Sequence, residues 1–318
     1  MKMKYTPVVL FAYNRPQHLE RTLSALNNCA GVNNTELFIF SDYPKGENEK
    51  ENVNKVRDLL NQFKNNRSLF SSVTIIKASH NKGLASSIIY GVTKIINKYG
   101  QAIVLEDDLI VSSDFLIYMN SALEYYRTQE SIWAISGYTF PMKVLNNYPH
   151  DVYLALRGCS WGWGTWADRW NTVDWELTDY DEIKYNLKKR INFGNWGRDM
   201  PFMLDENYYG LNNSWAIRWC YAAFKQGKYT IYPKESRVMS IGADGSGVNY
   251  TSVIHKYDTK LIDGANEVHF ENVGPNKRIQ REFRRKHKKF LGTIRDHYKW
   301  LLIKKGIISV KNISKGAN

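Results

Sequence analysis

Residues 102–108 read Ala-Ile-Val-Leu-Glu-Asp-Asp, an apolar, β-branched run closed by the consecutive carboxylates Glu106, Asp107 and Asp108. The apolar part has the composition of a buried strand. A core strand does not end in three carboxylates unless it emerges at an edge or faces a cation, because unpaired buried charge is expensive. Strand alternation predicts Glu106 and Asp108 on one side and Asp107 on the other. Hard carboxylate oxygens suit Mg²⁺ or Mn²⁺, and Mg²⁺ is commonly held by one or two carboxylates completed by phosphate oxygens. The alternative is a strand end with three solvated acids.

Three further polar features have the same setting: Arg15, Asp42 and the turn His80-Asn81-Lys82-Gly83 each follow a strand-like segment. A metal-bound diphosphate accounts for the convergence, since a cation neutralises such a group and stabilises it as a leaving group. Asp42 would accept hydrogen bonds from a base or ribose, while Arg15 and Lys82 would bring positive charge to phosphate or base. Each also has a purely structural reading. Arg15 precedes Pro16 and can be a surface residue, Asp42 can be a turn residue, and Lys82-Gly83 can be only a helix start.

The elements that must position these groups follow from periodicity. Strand patterns at 8–12, 37–41, 73–77, 102–106 and 132–136 alternate with helical patterns at 16–27, 47–64, 84–98 and 113–127. That alternation predicts an α/β fold with a mainly parallel central sheet flanked by helices, in which ligands bind beyond the carboxyl ends of the strands. The second half differs: five of the ten tryptophans fall between 161 and 175. Trp163, Trp166 and Trp170 recur at i, i+3 and i+7, which predicts one face of a core-packed helix. Trp161 or Trp163 remains a candidate to stack on a sugar ring. A polar helical region at about 178–227, a strand at 229–232 and a glycine-rich loop or lid at 241–247 follow.

Of the 318 residues, 43% are hydrophobic and 14% aromatic, the profile of a globular chain. Cys29, Cys159 and Cys220 match neither a disulfide framework nor a zinc site, and read as core thiols. With no leader-like start and no bilayer-length apolar run, the expected location is cytoplasmic. The net charge is +13, yet residues 277–318 hold 14 Lys and Arg against Glu282 and Asp296, so the body is nearly neutral. Ile279, Phe283, Phe290, Ile294 and Leu301 form an apolar stripe on this basic tail, with Tyr298 and Trp300 beside it. Such a helix either anchors peripherally on the inner face of a membrane or packs on the body with a solvated basic face. Nucleic acid is not an expected partner, because the body is neutral and carries no recognised motif.

The order Val8-Val9-Leu10-Phe11-Ala12-Tyr13-Asn14-Arg15-Pro16, Ser41-Asp42, His80-Asn81-Lys82-Gly83-Leu84 and Leu105-Glu106-Asp107-Asp108 resembles GT-A glycosyltransferases. More narrowly it resembles bacterial surface-polysaccharide glycosyltransferases related to N-acetylglucosaminyltransferase I. The likeness continues through Gly162-Trp163-Gly164-Thr165-Trp166, the segment 213–219 and Ile241-Gly242-Ala243-Asp244-Gly245-Ser246-Gly247, and so covers about residues 5–250. It implies a nucleotide-sugar site with Asp108 as the direct metal ligand and Glu106 and Asp107 on sugar or ribose hydroxyls. Arg15 and Asp42 would contact base and ribose, the 80–83 turn (His80, Lys82) would lie beside the nucleotide, and 241–250 would close over the donor.

Relatives carry Asp-Ser-Trp where this chain has Asn213-Ser214-Trp215. An amide cannot take a proton, so Asn213 would orient the acceptor, and Asp244 and Glu206 are the nearest carboxylates by sequence for a base. Trp161, Trp163, Trp215 and Arg218 are the acceptor-side candidates. The expected organisation is a nucleotide-sugar half at 1–110, an acceptor half of the same domain at 111–275, and a basic amphipathic tail at 276–318. The expected reaction is metal-dependent transfer from a UDP-linked sugar to a glycan or lipid-linked saccharide in surface polysaccharide synthesis. Two other classes stand beside it: a nucleotidyltransferase, although the N-terminal segment lacks a glycine- and basic-rich signature, and a catalytically silent glycan-binding protein.

Overall fold

The computed structural model describes residues 5–242, 244, 257–262, 267–287, 298, 300–303 and 305–307. In chain order its first half runs β1 (Val8–Ala12), α1 (Pro16–Asn27), β2 (Glu36–Ser41), α2 (Glu47–Gln62), β3 (Ser72–Lys77), α3 (Leu84–Tyr99), β4 (Gln101–Glu106), β5 (Leu109–Val111) and α4 (Phe115–Tyr125). The second half runs β6 (Ile132–Ser136), β7 (Val152–Ala155), β8 (Trp163–Trp166), α5 (Ala167–Trp170), α6 (Asp181–Lys184), α7 (Leu187–Phe193), α8 (Met200–Tyr208), α9 (Trp215–Lys225), β9 (Tyr229–Pro233), β10 (Val238–Ser240) and α10 (Lys277–His287).

Eight strands form one mostly parallel sheet in the order β3-β2-β1-β4-β8-β6-β9-β7. β1 pairs in parallel with both β2 and β4, so its five residues are all buried. Alternate side chains serve two cores. Val8 and Leu10 meet Leu19, Leu23 and Leu60 on one face, while Val9 and Phe11 meet Ile88, Val92 and Ile96 of α3 on the other. α3 approaches closely because Gly91 presents no side chain: a Cβ there would stand 2.7 Å from the Phe11 ring. One sheet runs through both the 1–110 and 111–275 parts of the chain, since β4 pairs antiparallel with β8 and β8 with β6.

The tryptophan periodicity misleads. Residues 163–166 are a strand inside the sheet, hydrogen-bonded on both edges, and only 167–170 turn helical. Gly164 permits this, because a Cβ there would lie 3.2 Å from the Ala102 carbonyl oxygen. Three residues apart on a strand, Trp163 and Trp166 face opposite ways. Trp163 joins Trp170, Trp215 and Trp219 in one aromatic stack, with ring centroids 5.2–5.7 Å from its own. Trp166 lies in the other core and donates its ring N–H to the Leu123 carbonyl. The region 178–227 is helical, and within it α8 buries the Asp205 carboxylate, bound to Arg190 and Tyr180.

The tail is corrected in part. Ile279 and Phe283 of α10 are 0% exposed, with Phe283 packed on Phe140, Trp196 and Tyr232. This stretch of the stripe closes the core and is not available to lipid. Phe290 and Ile294 lie outside the described residues, and Leu301 is exposed. Among the described residues no helix is long and apolar enough to cross a membrane.

Candidate active site

β1 and β4 run side by side and end together, with Phe11 opposite Glu106. The chain then turns at Asp107 and Asp108 before entering β5, so strand alternation stops at Glu106. Asp107 and Asp108 both reach the segment leaving β1, contrary to the expected opposite projection. Asp107 Oδ2 accepts the Tyr13 backbone N–H at 2.9 Å, and Asp108 Oδ2 pairs with Arg15 Nη1 at 3.1 Å. Arg15 holds this position because it is the residue from which α1 starts, with Pro16 opening the helix. Among the described residues its other terminal nitrogen, Nη2, is buried without a partner.

The segment after β10 closes over the same corner. β10 pairs antiparallel with β5, and Ile241 N–H continues the ladder to the Asp108 carbonyl at 2.9 Å. Gly242 then passes the Asp108 carboxylate so closely that a Cβ would fall 1.8 Å from Oδ2 and 2.9 Å from Arg15 Nη1. Asp244 ends the described stretch with its carboxylate 3.1 Å from His18 Nε2, one turn along α1 from Arg15. Ala243 and Gly245-Ser246-Gly247 lie outside the described residues.

Three carboxylates crowd this corner with little positive charge. Burial, then the Asp108 and Asp107 charges, push Glu106 up to about 8. Burial, then Asp108, push Asp107 up to about 7. Burial raises Asp108 as well, against the opposing pull of Arg15 and His18. Among the described residues no group of three or more His, Cys, Asp or Glu converges as a ready-made metal cage. The donor set nevertheless fits a hard cation held by the Asp108 carboxylate and completed by phosphate oxygens.

At the end of β2, Asp42 is a clamp. Oδ1 accepts the backbone N–H of Tyr43 (2.8 Å) and Lys82 (3.0 Å), and Oδ2 accepts the N–H of Gly83 (3.0 Å) and the Asn81 side chain (3.3 Å). Both oxygens are thus taken up by the turn that Asp42 holds. That turn is also the start of α3, with Gly83 at φ 73° as its N-cap. His80 is exposed beside Ser79, and the Lys82 ammonium lies 3.8 Å from the centre of the Tyr90 ring. Tyr13 ties the pieces together: its hydroxyl bonds Glu49 and accepts the Lys45 N–H.

The acceptor-side candidates divide. Trp163 and Trp215 are 1% and 4% exposed within the aromatic stack, so their faces contact other rings and not solvent. Trp161 is partly exposed, edge-on to Tyr138 and Tyr257. Arg218 joins Asn213 Oδ1 (3.2 Å) and the Trp175 carbonyl (2.9 Å) at the start of α9. Glu206 bonds Asn212, the neighbour of Asn213. Asn213 and Glu206 thus lie at the same turn between α8 and α9 with separate partners, whereas Asp244 belongs to the acidic corner. Sequence reasoning did not single out His18, whose signal is its spacing of three from Arg15, nor Tyr13 and Asn81, which carry no signal apart from their place at strand ends.

A mostly parallel sheet with an acid cluster at the end of a central strand, roofed by a return segment, is the GT-A architecture of glycosyltransferases. Residues 1–173 match the GNT-I family, and the chain belongs to that family. No curated protein matches the chain. Remote likeness is found to S. aureus TarS (TM-score 0.43, 10% identity, 76% of this chain and 37% of that one). The mannosyltransferase PcManGT from Pyrobaculum calidifontis in complex with GDP-Man and Mn2+ gives TM-score 0.35 at 11% identity, over 52% of this chain and 46% of that one. The chain thus spans less than half of either structure, and similarity this low carries no assignment of ligand.

Proposed function

We propose that this chain transfers a sugar from a nucleotide diphosphate donor, UDP-linked, to a hydroxyl of a glycan or lipid-linked saccharide in surface polysaccharide synthesis. One observation carries the reading: at the ends of β1 and β4, the Asp108 carboxylate and an Arg15 guanidinium with an orphaned donor stand 3.1 Å apart. A metal–diphosphate presents both charges that such a pair accepts.

Asp108 would hold Mn²⁺ or Mg²⁺, and Arg15 Nη2 would donate to a diphosphate oxygen. The ion, when bound, neutralises the diphosphate and stabilises it as a leaving group. Glu106 and Asp107 border the sugar and ribose hydroxyls, and the turn clamped by Asp42 sets His80 and Lys82 beside the nucleoside. As the acceptor oxygen bonds to the anomeric carbon and the bond to diphosphate breaks, a carboxylate must take the hydroxyl proton. We assign that role to Asp244, the one of the candidates that reaches the acidic corner, with Asn213, Arg218 and Trp161 orienting the acceptor.

Incubation with Mn²⁺ and a panel of nucleotide sugars tests the reading. Nucleoside diphosphate release, lost in Asp108→Ala and in excess EDTA, is the expected result. Pyrophosphate release would replace transfer with nucleotidyl chemistry, and binding without turnover would make the chain a silent glycan-binding relative.

A further inference from the structure

Eight of the fourteen large apolar side chains exposed on the described residues fall in just two stretches, 185–211 and 298–307. Leu187 and Ile191, one turn apart on α7, are 59% and 52% exposed, and Leu301 is 54% exposed. Trp300 fastens the two stretches together. It is 5% exposed, donates its ring N–H to the Lys184 carbonyl at 2.9 Å, and meets Tyr185 and Tyr209. The exposed apolar groups are therefore held in place by a buried neighbour, and monomer surfaces seldom gather such groups without a partner.

The same side of the molecule is basic. Residues 184–198 contain five Lys or Arg and no carboxylate. Of these, Arg190 is buried on Asp205, and Lys184 and Lys189 pair with Asp181 and Glu182, while Lys188 is exposed. α10 packs on the turn Gly194–Trp196 that follows α7, where Arg284 Nη1 lies 3.3 Å from Asn195 Oδ1. The one acid of α10, Glu282, accepts the backbone N–H groups of Lys143 and Val144, which leaves the helix surface cationic. Arg198 is held below its ordinary range by burial and then by Arg284 and Arg285, so like charges crowd here.

We propose that the surface formed by α7, residues 300–303 and the basic side of α10 docks on an anionic lipid bilayer. Leu187, Ile191 and Leu301 enter the headgroup–acyl boundary while Lys188, Arg284 and Arg285 meet lipid phosphates. This extends the reading above by naming where a lipid-linked acceptor would be met. It differs from anchoring through the α10 apolar stripe, which the core covers at Ile279 and Phe283.

The test is co-sedimentation of the full chain with vesicles of phosphatidylcholine alone or with about one-third phosphatidylglycerol. Binding to the anionic vesicles only, weakened at least tenfold by Leu187→Ser with Ile191→Ser and, separately, by Arg284→Gln with Arg285→Gln, is the expected result. Both α7 side chains are more than half exposed, so unchanged thermal unfolding of that variant is expected alongside. Wild-type protein that stays in the supernatant, or equal binding by the α7 variant, overturns the proposal. A concentration-dependent dimer that the α7 variant abolishes overturns it too, by assigning the surface to a second copy. Donor turnover measured without vesicles reports on the transfer reading alone, so the two can fail separately.

Discussion

Arg15 and Asp108 lie 93 positions apart in sequence and 3.1 Å apart in space, at 14% and 22% side-chain exposure. The guanidinium is the principal counter-charge for the acidic corner. Arg15→Gln is expected to lower stability by about 1–2 kcal/mol in EDTA, since it leaves a partly buried carboxylate unpaired. Thermal unfolding with and without Mn²⁺ plus UDP checks this, and the deficit should widen when both are present, because the variant also lacks the Arg15 contact to the diphosphate.

Gly242 is expected to tolerate no side chain. Gly242→Ala puts a methyl 1.8 Å from Asp108 Oδ2, so the carboxylate or the return segment must move. Overpacking of this kind costs about 1–3 kcal/mol, and donor turnover should fall at least about tenfold while the fold survives.

Asp42→Ala should act through the 80–83 turn. The substitution strips acceptors from three backbone N–H groups, and charge-assisted bonds of this type contribute about 1.5–3 kcal/mol each at most. The expected signature is a raised KM for donor together with lower stability, read by initial rates and urea unfolding.

Asp174 provides a pH test away from the site. Its carboxylate accepts the Thr178 N–H and hydroxyl and the Glu176 N–H, and so ties down a turn in which Leu177 adopts φ 54°. Desolvation pulls its titration upward, but these bonds prevail and leave it below the ordinary range. A depressed carboxyl stabilises the fold above its unfolded value of about 3.9 and loses that contribution as pH falls through the folded value. Asp174→Ala should therefore cost about 1 kcal/mol at pH 7. The gap to wild type in urea unfolding should narrow below about pH 4.

Trp163→Ala is expected to cost about 3–5 kcal/mol, as for other buried aromatic truncations. A variant that kept its stability but changed acceptor preference would return Trp163 to the acceptor site.

The first half was legible because its signals are local. A five-residue apolar run, a Pro-initiated helix and a carboxylate-capped strand can each be read in one window, and β1, α1 and β6 begin and end where periodicity places them. What escaped depends on partners distant in sequence. Trp163 and Trp166 share the spacing of a helical face, yet pairing of β8 with β4 and β6 overrides it. Asp107 and Asp108 sit in a turn, where alternation gives no direction. His18 enters the site through Asp244, 226 positions away. The α10 stripe was visible, but not that Phe140 and Trp196 would cover Phe283.

β8 fills the middle of the sheet although it is contributed by the later part of the chain, between β4 and β6. A ribosome releasing only the first 110 residues would leave β4 with a bare hydrogen-bonding edge along Gln101–Val104. An unpaired edge of this kind invites pairing with another chain, and only residues as far along as Trp166 cover it.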